Sequence, residues 1–113
     1  MTWNDTLPTH LQELRRGTAV VASLAALRSP GHGYRLLQTL GDAGINVDAN
    51  TLYPLLRRLE DQGLLTSEWD TTESRPRKVY RTSADGEQML DALLTDLEAV
   101  RTAIATLTDR GIS

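Results

Sequence analysis

The side chains of this chain that could do chemistry together are cations and hydrogen-bond donors rather than nucleophiles. There is no Cys, which removes thiol catalysis, disulfides and the common structural zinc sites. His10 and His32 are far apart, and neither has an i,i+4 partner, so no metal-ligand set is expected. Gly31-His32-Gly33 lacks the spaced glycines and the Lys-Ser/Thr pair of a phosphate loop. The Asp and Glu residues are scattered, and none forms a nucleophile–base pair, so neither an enzyme nor a cofactor is expected. Two groups of residues remain. Asn50 and Arg57, with Tyr53 and Arg58 flanking, fall within one short segment, and Arg75-Pro76-Arg77-Lys78 puts three cations in four residues, with Arg81 following. Asn can pair bidentately with adenine and Arg with guanine, while a cluster of cations suits phosphates.

Such groups act only if something positions them. Asp48 is a suitable N-cap for a helix running to Gln62, with Gly63 as the closing glycine. At about 100° per residue, Leu52, Leu55, Leu56 and Leu59 share one side of this helix, and Asn50, Pro54, Arg57 and Asp61 the other. An aliphatic face for docking and donors near the N-terminal half are what a recognition helix needs. The amides near Asp48 and Thr51 suit a phosphate. Pro54 removes an amide from the helix interior, which a plain structural helix has no reason to do.

The neighbouring elements complete a pattern. A first helix is expected from Thr9, where Thr9 to Gln12 has capping-box spacing, to the Ser29-Pro30-Gly31 stop, with Leu11, Leu14, Thr18, Val21 and Ala25 as one core stripe. A second covers about His32 to Ala43, closed by Gly44. Segments 64–69 and 77–82 read as a β-hairpin with a polar tip, Trp69 packing the wing. Ser83 caps a long last helix on which Leu90, Leu93, Leu97, Val100, Ile104 and Leu107 step by three and four. The expected fold is mainly α: a winged helix-turn-helix of three helices and a two-stranded wing, plus a long C-terminal dimerisation helix. Its parts are a flexible extension at 1–8, the winged domain at 9–82 and the dimerisation helix at 83–109.

The net charge of −3 hides an uneven distribution. Residues 50–82 carry six basic and five acidic side chains, whereas residues 83–113 carry two and six. The middle can therefore present a local basic surface while the acidic last helix faces away from phosphates. The longest apolar run, Thr18 to Leu27, is too short to cross a bilayer, and the N-terminus has no secretion signal, so a cytoplasmic protein without a membrane partner is expected.

His32-Gly33-Tyr34, the string from Thr51 through Tyr53-Pro54 to Glu60, and Gly63-Leu64-Leu65 closely resemble the PadR family of bacterial transcriptional regulators. Arg77 to Thr82 followed by Gly86 is similar to its wing and to the start of its last helix. The resemblance runs over roughly residues 11 to 107. It implies a winged-helix repressor on double-stranded DNA, a homodimer through the last helix with help from the first. Two-fold symmetry then implies a palindromic operator. Carried onto this chain, it makes Tyr34, Asn50, Thr51, Tyr53 and Arg57 groove and backbone contacts, and Arg75, Arg77 and Lys78 wing contacts. Leu90, Leu93, Leu97, Val100, Ile104 and Leu107 become the dimer interface. It also allows release by a small-molecule effector between the subunits, since some members take flat aromatic compounds there. This chain departs from the pattern twice: Asp48-Ala49-Asn50 replaces the Ser-Pro-Gly of many relatives, and its last helix has Leu97 where an aromatic can stand. The rival reading is a winged-helix module that binds protein instead of specific DNA.

Overall fold

The computed structural model describes residues 2–110. Helices α1 (Trp3–Leu14) and α2 (Thr18–Ala26) come first, then strand β1 (Gly31–His32), α3 (Gly33–Asp42) and α4 (Ala49–Asp61). A hairpin of β2 (Leu65–Asp70) and β3 (Arg77–Thr82) leads into α5 (Ala84–Arg110). The whole is elongated, 63 × 34 × 22 Å, because the 27 residues of α5 extend for about 40 Å at helical rise.

The N-terminal region differs from expectation. The first helix starts at Trp3, not Thr9, so residues 3–8 are helical rather than a flexible extension. The Thr2 amide donates to the Asp5 carboxylate at 2.9 Å, which supplies the start that Thr9 was expected to give. The helix runs through Pro8; the Asn4 carbonyl that loses its donor belongs to an exposed residue, where water can replace it. Nor does one stripe continue from Leu11 to Ala25. Gly17, at φ 90°, breaks the chain into α1 and α2, and side chains beyond such a left-handed residue no longer share a face with those before it. Leu11 and Leu14 are therefore exposed, and α1 has no buried residue.

The core is built almost entirely of leucine. Leu24, Leu27, Leu36, Leu40, Leu52, Leu55, Leu56, Leu59, Leu65 and Leu90 are buried in one cluster with Tyr80. The hairpin holds its expected place, and β1 joins it as a third antiparallel strand in the order β1-β3-β2. The register Leu65↔Thr82, Ser67↔Tyr80, Trp69↔Lys78 puts these six side chains on the face that meets the helices. Two contacts fix the base of the wing: the Thr82 hydroxyl donates to the Leu24 carbonyl at 2.7 Å, and the Thr82 amide to the Leu27 carbonyl at 2.8 Å.

The start of α5 is set as tightly. The Gly86 amide donates to Ser83 Oγ at 3.0 Å, and that hydroxyl donates to the Gly63 carbonyl at 2.7 Å. A Cβ on Gly86 would lie 2.1 Å from the Leu64 carbonyl oxygen. No side chain fits between α5 and the α4–β2 turn at that point.

Candidate nucleic-acid interface

Helix α4 carries its two faces as the leucine spacing dictates. Leu52 and Leu56 are fully buried, Leu59 is 2% and Leu55 6% exposed, while Asn50, Thr51, Tyr53, Arg57 and Arg58 face out. The Thr51 amide donates to the Asp48 carboxylate at 2.8 Å, closing the N-cap. The helix continues through Pro54, which leaves the exposed Asn50 without its helical amide donor at the carbonyl. An acceptor therefore stands free beside the side chain that could read a base.

Tyr34 and Tyr53 come from different helices but meet at one place. His32 caps α3, its Nδ1 accepting from the Arg35 amide at 3.2 Å, so Tyr34 projects from the first turn and is exposed. The ring of Tyr53 lies against Gly33: a Cβ there would be 2.4 Å from Cε1. This contact explains why His-Gly-Tyr and Leu-Tyr-Pro occur together in one sequence. The glycine makes room for the tyrosine of the other helix.

The three wing cations differ in availability. Arg75 makes no ion pair among the described residues. Arg77 pairs with Glu73 at 3.2 Å, both side chains about half exposed or more, and lies 3.0 Å from His32 Nε2. An exposed pair of this kind is weak and exchanges readily for a phosphate. Lys78 is turned inward instead. Its ammonium donates to Glu60 Oε1 at 2.8 Å, lies 5.4 Å from the Tyr80 ring centroid, and is only one-third exposed. The Glu60 carboxylate also accepts from the Ser67 hydroxyl. Lys78 and Ser67 together hold that carboxyl below its ordinary value, and Glu60 in turn raises Lys78. Lys78 is thus a tie between wing and α4, a role the charge count alone cannot reveal.

Trp69, expected to pack the wing, is 67% exposed. It stands opposite Lys78 on the hairpin and lines, with Tyr34, Tyr53, Tyr80, Arg75 and Arg77, a cleft of about 460 Å³ between wing and helices. Glu60, Gly33, His32 and Trp69 were missed as parts of this surface. Pairing Trp69 with Lys78 across the hairpin was the one available signal. A second groove, beside the cap of α4, is lined by Arg15 and Arg16, and Arg15 donates to the Gly44 carbonyl at 3.0 Å. Among the described residues, no three His, Asp or Glu side chains gather as a metal site.

The α5 stripe expected to form a dimer interface divides in two. Leu90 is buried in the chain's own core and Leu93 is half-buried against it. Leu94, Leu97, Val100, Ile104 and Leu107 are between 45% and 66% exposed. Among the described residues, no helix is long and apolar enough to cross a membrane.

Helices α2, α3 and α4 followed by a hairpin wing, with one outward polar helix face, define a winged helix-turn-helix protein. The profile of the transcriptional regulator PadR-like family matches residues 21–92, and the chain belongs to that family of regulators, which are not enzymes. A PadR family transcriptional regulator from Eggerthella lenta is similar in structure, with a TM-score of 0.91 and 44% identity over 96% of this chain and 97% of that one. A PadR-like transcription factor from Bacteroides fragilis superposes with a TM-score of 0.72 and 29% identity, covering 87% of this chain and 97% of its own. Transcriptional regulator Rv3488 of Mycobacterium tuberculosis is 46% identical over 59 residues, 52% of this chain and 55% of that protein. That alignment therefore spans about half the length of the curated relative.

Proposed function

We propose that this regulator is a cytoplasmic repressor that binds a palindromic operator as a homodimer, α4 in the major groove and the wing on the flanking backbone or minor groove. One observation carries the reading. The outward face of α4 and the wing cations lie on the same side of the molecule, Tyr53 sharing a cleft with Arg75 and Arg77. Asn50 and Arg57 are then the base readers, Thr51 and Tyr34 the backbone contacts, and Lys78 positions the wing through Glu60.

The exposed part of α5 supports the dimer. Burying large aliphatic side chains such as Leu97, Ile104 and Leu107 contributes ~1.5–3 kcal/mol each, enough in sum to offset the cost of association. Leu7, Leu11 and Leu14 on α1 are also exposed and extend the apolar surface that a second copy can cover. Two-fold pairing would set the recognition helices about one DNA turn, ~34 Å, apart. Release by a small-molecule effector completes the proposal. Along α5 the seam between subunits carries no ring for a flat compound to stack on, and Trp3, exposed on α1, is an aromatic that could supply one.

The test is the salt dependence of affinity for duplex DNA. With ~3–5 phosphate contacts per subunit, log K against log salt should fall with a slope of roughly −5 to −9. A slope near zero, or no duplex binding, would favour a protein-binding module instead.

A further inference from the structure

We infer that His32 and Arg77 together hold one phosphate of the DNA backbone, the histidine as a neutral donor and the arginine as the charge. The inference rests on the duplex-binding reading. It adds a contact from β1, outside both α4 and the wing.

Helix α3 decides which nitrogen of the ring carries the proton. His32 is the N-cap of α3, and its Nδ1 accepts from the Arg35 amide at 3.2 Å. A nitrogen that accepts has no hydrogen, so the neutral ring holds its proton at Nε2. That Nε2 lies 3.0 Å from Nη1 of Arg77. A guanidinium nitrogen has only hydrogens to offer. Two donors therefore face one another, and the contact is complete only when an acceptor stands before both. The opposite tautomer would let Nε2 accept from Arg77, but its proton on Nδ1 would deprive α3 of the cap.

The neighbouring carboxylates are engaged elsewhere. Glu73 takes the other terminal nitrogen of Arg77, Nη2, at 3.2 Å. Asp70 Oδ1 accepts from the Thr72 amide and hydroxyl at 3.0 and 2.7 Å. Glu60 is held by Lys78 and Ser67. An external anion fits the gap, and a phosphate has oxygens enough to accept from both donors, with the guanidinium supplying the charge-assisted bond. The DNA backbone is the source that the surroundings favour. Tyr53 of α4 and Arg75, which has no ion pair among the described residues, border the same cleft as His32 and Arg77. A duplex seated on α4 brings its backbone to this corner. His32 is also the better placed of the two donors. Its backbone pairs with Val79 and its ring is tied to α3, so it fixes where the phosphate sits, while the half-exposed arginine follows.

The experiment has two arms, both on the full chain at about pH 8, above the usual imidazole range. The first is nitrogen-15 spectroscopy of the ring. The chain has two histidines, so His10→Gln leaves His32 as the one imidazole. A bare Nδ1 and a protonated Nε2 are expected in the free chain, with the Nε2 signal shifting when duplex is added. A proton on Nδ1, or no shift with bound duplex, would overturn the inference. The second arm measures duplex affinity. His32→Asn keeps a capping side chain but is too short to share a phosphate with Arg77. Its thermal midpoint should match the unmodified chain, while affinity for specific and random duplexes falls alike, by about tenfold or more. The salt slope should not change, because no charge is lost, whereas Arg77→Ala should reduce it by ~1 per subunit. The double variant should lose less than the product of the single losses, since both side chains serve one phosphate. Unaltered affinity in His32→Asn, or losses that simply multiply, would overturn the shared contact and leave the DNA reading standing. An unmodified chain that binds no duplex would overturn both.

Discussion

Helix α4 and the second half of α5 are both amphipathic, yet one chain satisfies only the first. Leu52, Leu55, Leu56 and Leu59 are buried in the chain's own core, leaving the polar face of α4 outward. Leu97, Val100, Ile104 and Leu107 find no core, and the apolar face itself is outward. The same leucine spacing thus means two things. On α4 it orients polar side chains toward a ligand of the single chain. On α5 it leaves an apolar face outward, which the proposed second copy would cover, fixing where two α4 helices stand relative to one another.

Substitutions in the two stripes should separate these roles. Replacing Leu97 and Ile104 together with Lys should bury like charges across the two-fold and split the dimer. Operator affinity should then fall by about a hundredfold or more, with the monomer core still folded by circular dichroism. Leu56→Ala should do the opposite, lowering unfolding free energy by ~2–5 kcal/mol through the cavity it leaves. A loss of folding in the Lys variant would mean that α5 is core along its whole length.

Two glycines sharpen the comparison on the α4 side. Gly86→Ala pushes a methyl into the Leu64 carbonyl and should destabilise the fold by about 2 kcal/mol or more, the range for overpacking against groups that cannot yield. The nearest atoms that Gly33→Ala meets belong to the side chain of Tyr53, whose ring can move. This change should cost less stability than Gly86→Ala but displace Tyr53 and weaken DNA binding. Equal thermal shifts for the two would show that Tyr53 is not free to move.

Within the interface, Arg57 and the wing should respond differently. Arg57→Ala should cost ~1–3 kcal/mol at one position of each half-site. Changing Arg75 and Arg77 to Ala should weaken binding to every sequence and flatten the salt slope. Equal losses on specific and random duplexes would make Arg57 a phosphate contact.

The smallest effect concerns the wing tie. Because the Glu60 carboxyl is held below its ordinary value by Lys78 and Ser67, its contribution is present at neutral pH. It is lost as the pH falls below the ordinary carboxylate range. Glu60→Gln should therefore cost stability at pH 7, within about 1 kcal/mol for a pair this open to water, and nothing once Glu60 is protonated. A difference that grows on acidification would contradict the pairing.

What the sequence made legible was local. The cap at Asp48, the glycine at 63 and the leucine phase placed α4 within a residue of its ends, and the two strands of the hairpin followed from their alternation. The elbow at Gly17 was not legible, because apolar spacing continues across it and one backbone angle decides whether the stripe does. Strand β1 is only two residues long and exists through its pairing with Val79 and Tyr80. The inward turn of Lys78 depends on Glu60, eighteen residues away, so charge spacing along the wing could not foretell it. The candidate site was read as a set of residues, while the sharing of a cleft by Tyr34, Tyr53 and Trp69 comes only from the fold.

Sedimentation of a labelled operator duplex with increasing protein tests the central claim most directly. Two chains per duplex should bind with no intermediate carrying one, and the variant with Lys at 97 and 104 should give no such complex at the same concentration. A complex of one chain per duplex that survives those two substitutions would contradict it.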